Sequence, residues 1–267
     1  MDGGVPVAPI FALWGRILRT RADVYVQLLL TVVGAALVAA LVGIDVAIHG
    51  GQNAGAMVLL ALVLFAAVLS FGYGAALGAL GEAARGDAAT AFWQRGYRLW
   101  GRTLGLFAVE LLIVIVLLIV IIVVLGAAGL LTGIGQIASV GTAQATAEVY
   151  RLASVFIIAA IILAFGVGPW LQAAQAIIYI DQQPVLVGFS LAFAAGYARG
   201  RLGHWLLMLL IAIALDLVAG VVETALGTTG QVLGILLSPA VLWLATALAF
   251  ATYRVHEAGS PPAEVMA

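Results

Sequence analysis

Long apolar stretches alternate along this chain with short segments that mix arginine and aromatic residues. A helix of about 20 apolar residues crosses the hydrocarbon core of a bilayer. Six stretches reach that length: Val24–Ile48, Ala54–Leu80, Thr103–Gly129, Val149–Ile180, Gly203–Leu226 and Val232–Tyr253. Taken in pairs they predict three transmembrane hairpins. His49–Asn53 and Gly227–Gly230 read as tight turns. The middle connection, Gly126–Glu148, is long and uncharged before Glu148. It is either a disordered loop or a segment folded back over the bundle, and the second is favoured because loops of that length are commonly functional.

The segments before the hairpins have a different period. In the first, Ile10, Phe11, Leu13, Trp14, Ile17 and Leu18 form one helical face opposite Arg16 and Arg19, with Pro9 at the start. In the second, a helical projection at about 100° per residue puts Phe92, Trp93, Gly96, Tyr97, Leu99 and Trp100 on one arc. Gln94, Arg95, Arg98 and Arg102 fall on the other. This predicts an amphipathic helix lying in the headgroup layer, capped by Asp87 and ending near Arg102. The third segment, Pro184–Gly200, has a stripe of Leu186, Phe189, Phe193 and Tyr197 bordered by valine, alanine and glycine. It is predicted to pack against protein.

An internal echo reinforces the threefold layout. Leu13-Trp14-Gly15-Arg16-Ile17-Leu18 recurs as Leu99-Trp100-Gly101-Arg102-Thr103-Leu104, with a shorter copy at Gly200-Arg201-Leu202. The expectation is therefore an all-α integral membrane protein, one transmembrane domain over residues 1–267. Its three repeated units, about 7–82, 87–181 and 184–256, are each an interfacial helix followed by a hairpin.

Charge orients this arrangement. All 11 basic residues are arginine, and a six-span threading puts every one except Arg151 on the same side. Arginine near span ends resists translocation, so that side, with both termini, is expected to be cytoplasmic in a prokaryotic inner membrane. A composition 65% hydrophobic and 9% charged leaves no room for a second, aqueous domain. The start MDGGVPVAP lacks a basic n-region, so no cleaved signal peptide is expected. A net charge of −1 with dispersed arginines gives no groove for nucleic acid.

Candidate chemistry is sparse. Glu110 and Asp216 fall inside the third and fifth spans, where a carboxylate is expensive unless paired, protonated or wetted. They are the candidate intramembrane polar site, read either as protonated structural groups or as the lining of a shared proton or cation path. Asp45, Glu223, Glu82 and Asp181 lie at span ends and read as solvated. Gly74 and Gly78 have the spacing of a close helix contact. Pro169 and Pro239 interrupt inward spans, where the freed backbone needs a protein partner. With no cysteine, no HExxH and no GxSxG, neither catalytic residues, metal ligands nor a cofactor are expected. The expected membrane-surface contacts are Arg16, Arg19, Arg95, Arg98, Arg102, Arg199, Arg201, Trp14, Trp93 and Trp100.

The runs Gly81-Glu82-Ala83-Ala84-Arg85-Gly86-Asp87 and Arg98-Leu99-Trp100-Gly101-Arg102-Thr103-Leu104-Gly105, with Ala91-Phe92 between them, carry a family resemblance. So do Tyr179-Ile180-Asp181 through Gly203-His204-Trp205, and Pro239 with Tyr253-Arg254 and Glu257. Together they resemble prokaryotic membrane proteins related to the membrane domain of glycerophosphoryl diester phosphodiesterases. The resemblance implies a helical membrane module without the soluble catalytic barrel, and it carries over no catalytic residue. The expected function is a non-enzymatic polytopic protein that organises lipids or partner proteins at the cytoplasmic face, with membrane lipids, other membrane proteins or a second copy as partners. The alternative is a small transporter with Glu110 and Asp216 in its path.

Overall fold

A computed structural model describes residues 7–49, 54–127, 166–197 and 202–258. The described residues are mostly helical, and no strand occurs among them. The helices are α1 (Val7–Thr20), α2 (Asp23–His49), α3 (Ala54–Arg85), α4 (Phe92–Ala127), α5 (166–180), α6 (Val185–Tyr197), α7 (Leu202–Ala225) and α8 (Gly227–Ala258). Five of them, α2, α3, α4, α7 and α8, are long and apolar enough to cross a membrane. The chain is thus a multi-pass membrane protein of all-α class. Of the predicted fourth span only its last turns, in α5, are described. The long connection, Arg151, Arg199 and Arg201 lie outside the described residues.

Two compact units divide the chain, one formed by Met1–Phe107 with Pro169–Ala267, the other by Ala108–Gly168. In the first, α2 packs on α3 and α7 on α8, each pair joined by a short link as hairpins require. The α8 helix also meets α1, α2 and α3, which makes it the central element of the described bundle. Its stretch from Ala247 to Thr252 is buried. In the second unit the described part of α4 is a run of exposed leucine, isoleucine and valine. Bilayer hydrocarbon solvates such a surface as water cannot.

Local chemistry explains most of the boundaries. The α3 helix ends in a Schellman motif, with Gly86 N–H bonded to Ala83 O at 3.2 Å and Asp87 N–H to Glu82 O at 2.9 Å. Gly86 has φ +82°, a conformation glycine adopts without strain. Asp87 therefore closes α3 instead of capping α4, and residues 87–91 are non-helical. The predicted surface helix is also replaced. Phe92 begins a single 36-residue helix that continues through the third span without a break. No proline or paired glycine interrupts the chain near Arg102, so nothing there ends the hydrogen-bond ladder.

The short α1 and α6 are separate helices of 14 and 13 residues. Ile10 and Ile17 of α1 are fully buried, while Arg16 and Arg19 are exposed. The stripe predicted for α6 splits, with Phe189 buried and Leu186 and Phe193 exposed. Pro239 lies within α8. The Tyr25 hydroxyl donates to the carbonyl of Leu236, three residues before the proline, at 3.3 Å.

Glycines let α3 approach its neighbours closely. A Cβ on Gly78 would come within 2.3 Å of Leu99 Cδ1, and one on Gly74 within 2.5 Å of Thr103 Oγ1. One on Gly81 would come within 2.5 Å of the backbone oxygen of Tyr179. The stripe therefore receives the first turns of α4 and the end of α5.

Candidate functional site

The most elaborate polar arrangement in the described chain surrounds Glu82. Its side chain, near the carboxyl end of α3, is only 2% exposed. Arg21, from the turn between α1 and α2, reaches Oε2 at 3.5 Å, and Arg95 from α4 reaches the same oxygen at 3.3 Å. Arg98 meets Oε1 at 3.3 Å. The non-helical link between α3 and α4 is bound as well. Thr90 donates its hydroxyl to Oε1 at 2.6 Å and its backbone N–H to Oε2 at 3.3 Å.

The buried arginines are satisfied elsewhere too. Arg21 forks onto Asp23, with Nε–Oδ1 at 3.1 Å and Nη2–Oδ2 at 3.2 Å. Arg95 donates to the Ala75 carbonyl at 3.0 Å, to the Thr90 carbonyl, and to Gln27 Oε1 at 3.4 Å. Gln27 in turn donates to Asp23 at 2.6 Å. A buried ion pair is tolerable only when its remaining hydrogen-bonding capacity is filled. These bonds do that for both partners.

A second arginine set closes the end of α5. Arg85 donates to the carbonyls of Tyr179 and Ile180 at 2.8 and 2.7 Å, and Arg102 to that of Ile178 at 3.4 Å. Cations at a helix carboxyl end satisfy its orphan carbonyls and meet the negative end of the macrodipole. Asp181, just beyond α5, accepts the Tyr253 hydroxyl from α8.

Several sequence-predicted contacts therefore change meaning. Glu82 is not a solvated span end, because three arginines and Thr90 enclose it. Arg95 is not a surface contact, since its side chain is 1% exposed. It lies on the polar arc of the helix, but that arc faces Glu82. Arg102 is half-buried against α5. Trp14 is turned inward, its indole N–H donating to Leu244 O of α8 at 3.1 Å. Arg16, Arg19, Arg98, Trp93 and Trp100 do keep exposed surface. Opposite charges far apart in sequence gave no local signal of this network. The one available hint was a carboxylate and two arginines flanking a glycine-closed helix end.

Asp216 is exposed on the wall of a groove of about 440 Å³. Tyr73 of α3, Leu217 of α7, and Ser238 and Leu242 of α8 share that wall. Glu110, in the second unit, is half-buried. His204 Nδ1 and His256 Nε2 lie 3.0 Å apart where the start of α7 meets the end of α8. Among the described residues no three His, Cys, Asp or Glu side chains are grouped to hold a metal ion. Comparison with models of protein families, with curated proteins and with solved structures gave no match.

Proposed function

We propose that this chain is a non-enzymatic membrane protein that gathers lipids, or partner proteins, on its arginine-bearing face, and that this face is cytoplasmic. One observation carries the reading: the arginine network locks the ends of five elements together and leaves exposed cations and aromatics around it. Glu82, Arg21, Arg95 and Arg98 join the α1–α2 turn, α3 and α4, while Arg85 and Arg102 fasten α5. Arg16, Arg19 and the half-exposed Arg98 remain at the surface with Trp93 and Tyr97. A basic residue near an anionic leaflet contributes on the order of 1 kcal/mol, and aromatic rings suit the headgroup level. The resemblance to the membrane module of the phosphodiesterases, a prokaryotic inner-membrane setting and the repeated hairpins belong to the same proposal.

Spin-labelled phosphatidylglycerol and phosphatidylcholine in reconstituted vesicles test it. The wild type should hold phosphatidylglycerol preferentially in its motionally restricted lipid shell, and Arg16→Gln/Arg19→Gln should reduce that preference. Equal retention of the two lipids by the wild type would overturn the reading.

A second reading, a conduit, is favoured by the Asp216 groove, where a carboxylate, Tyr73 and Ser238 share one wall. A proton or cation flux that disappears in Asp216→Asn would establish it in place of the first.

A further inference from the structure

We propose that the groove between α2, α3 and the first turns of α4 seats a single hydrocarbon chain of a membrane lipid. The groove has a volume of about 540 Å³, inside the range of about 300–1,000 Å³ usual for small-ligand sites. Leu30 of α2, Val68 and Phe71 of α3, and Trp93, Tyr97 and Trp100 of α4 line it. This inference rests on the lipid-gathering reading above and names the part of the lipid that is held.

Of the polar groups in these walls, those of Gln27, Thr31 and Trp100 are engaged within the protein, and the Trp93 indole N–H and Tyr97 hydroxyl sit on the exposed flank. The Gln27 amide bonds Asp23 and Arg95, and the Thr31 hydroxyl donates to Gln27 O at 2.7 Å. The Trp100 indole N–H donates to Ser70 Oγ at 2.7 Å. Away from Trp93 and Tyr97, a polar solute or a peptide strand would bury hydrogen-bonding groups without partners, whereas a hydrocarbon chain has none to lose. The three helices that line the groove are long and apolar enough to span the bilayer, so its open side adjoins acyl chains.

The groove has a built shape. Gly96 leaves the space in which the Phe71 ring sits, since a Cβ there would come within 2.4 Å of Phe71 Cζ. Phe71 then contacts Phe92, Trp93 and Tyr97 with ring centroids 5.8, 5.4 and 5.3 Å apart. Within a bilayer no hydrophobic force drives a chain into a groove, because lipid is as apolar as the wall. Selection comes from dispersion contact with a fixed surface and from the loss of those contacts when a gap stays unfilled. Trp93 and Tyr97, 66% and 73% exposed, flank the end nearest the arginine network, where a chain meets its headgroup.

The test uses the full chain in phosphatidylcholine–phosphatidylglycerol vesicles containing a phosphatidylcholine with a diazirine in its acyl chain. Photolysis and peptide mapping should place labelling on 67–72 and 92–100 several-fold above that on the open apolar surfaces at 58–64 and 111–120. Ala67→Phe should return groove labelling to that background, and Val63→Phe on the open surface should not. Val68→Phe fills the groove from another position if Ala67→Phe fails to fold. Uniform labelling of all these surfaces overturns the proposal, as does a cross-link from the groove to a second copy of the chain. Loss of groove labelling with phosphatidylglycerol preference intact removes the chain site and leaves the lipid-gathering reading. Loss of the preference with groove labelling intact does the reverse.

Discussion

Neutralising Glu82 probes the arginine network at its centre. Glu82→Gln keeps the size of the side chain and one oxygen acceptor but removes the charge shared by three arginines. Arg21 and Arg95 are then buried with less compensation, as their side chains are 6% and 1% exposed. Breaking a buried pair from one side is worth about 3–5 kcal/mol, mostly from the charge left behind. Asp23 still serves Arg21, so the lower half of that range is expected. Arg98, 48% exposed, is the internal control. Arg98→Gln should cost no more than about 1 kcal/mol, the ordinary worth of a solvent-screened pair. The assay is reversible unfolding in mixed micelles, followed by tryptophan fluorescence for wild type, each single variant and Glu82→Gln/Arg95→Gln. The double variant should be less destabilised than the sum of its singles, because each substitution removes the other's stranded partner. Glu82→Gln within about 0.5 kcal/mol of wild type, or strict additivity in the double variant, would refute the account of a desolvated network.

Other consequences can be measured in the same system. Gly81→Ala should destabilise by about 1–3 kcal/mol, as overpacking does, because its Cβ meets the backbone oxygen of Tyr179. Gly78→Ala meets a Leu99 methyl that can rotate away, and unfolding of the two variants should rank them in that order. Asp216→Asn should leave stability nearly unchanged, and vesicle leak assays should show the same low proton permeability for it and the wild type. Tyr253→Phe should lower stability by about 1 kcal/mol through loss of its bond to Asp181, whereas no loss would mean that this bond is made equally well to water.

The apolar runs made the membrane-spanning helices legible, and the alternation around Ile10 and Ile17 made α1 legible, because both signals are local. The Gly74 and Gly78 spacing likewise announced a close helix contact, which α4 supplies through Thr103 and Leu99. The continuity of α4 was hidden by a change of environment in mid-helix. Its residues 92–102 alternate in polarity and those that follow do not, and that shift resembles a bend although no residue breaks the helix. The burial of Glu82 was hidden for a different reason. Its partners lie 13, 16 and 61 positions away, and a charged residue at a span end looks solvated until those elements fold around it. Glu110 and Asp216 stood out by cost alone, and cost does not say which neighbours share the groove.

The central claim, that the arginine-bearing ends lie together at the cytoplasmic face, is tested most directly by single-cysteine accessibility in intact cells. The natural chain has no cysteine, so each introduced thiol reports one position. Gln52→Cys, Gln136→Cys and Thr228→Cys should react with an impermeant maleimide added outside, and Ala258→Cys should react only after the membrane is opened. External labelling of Ala258→Cys, with Gln52→Cys protected, would contradict the account.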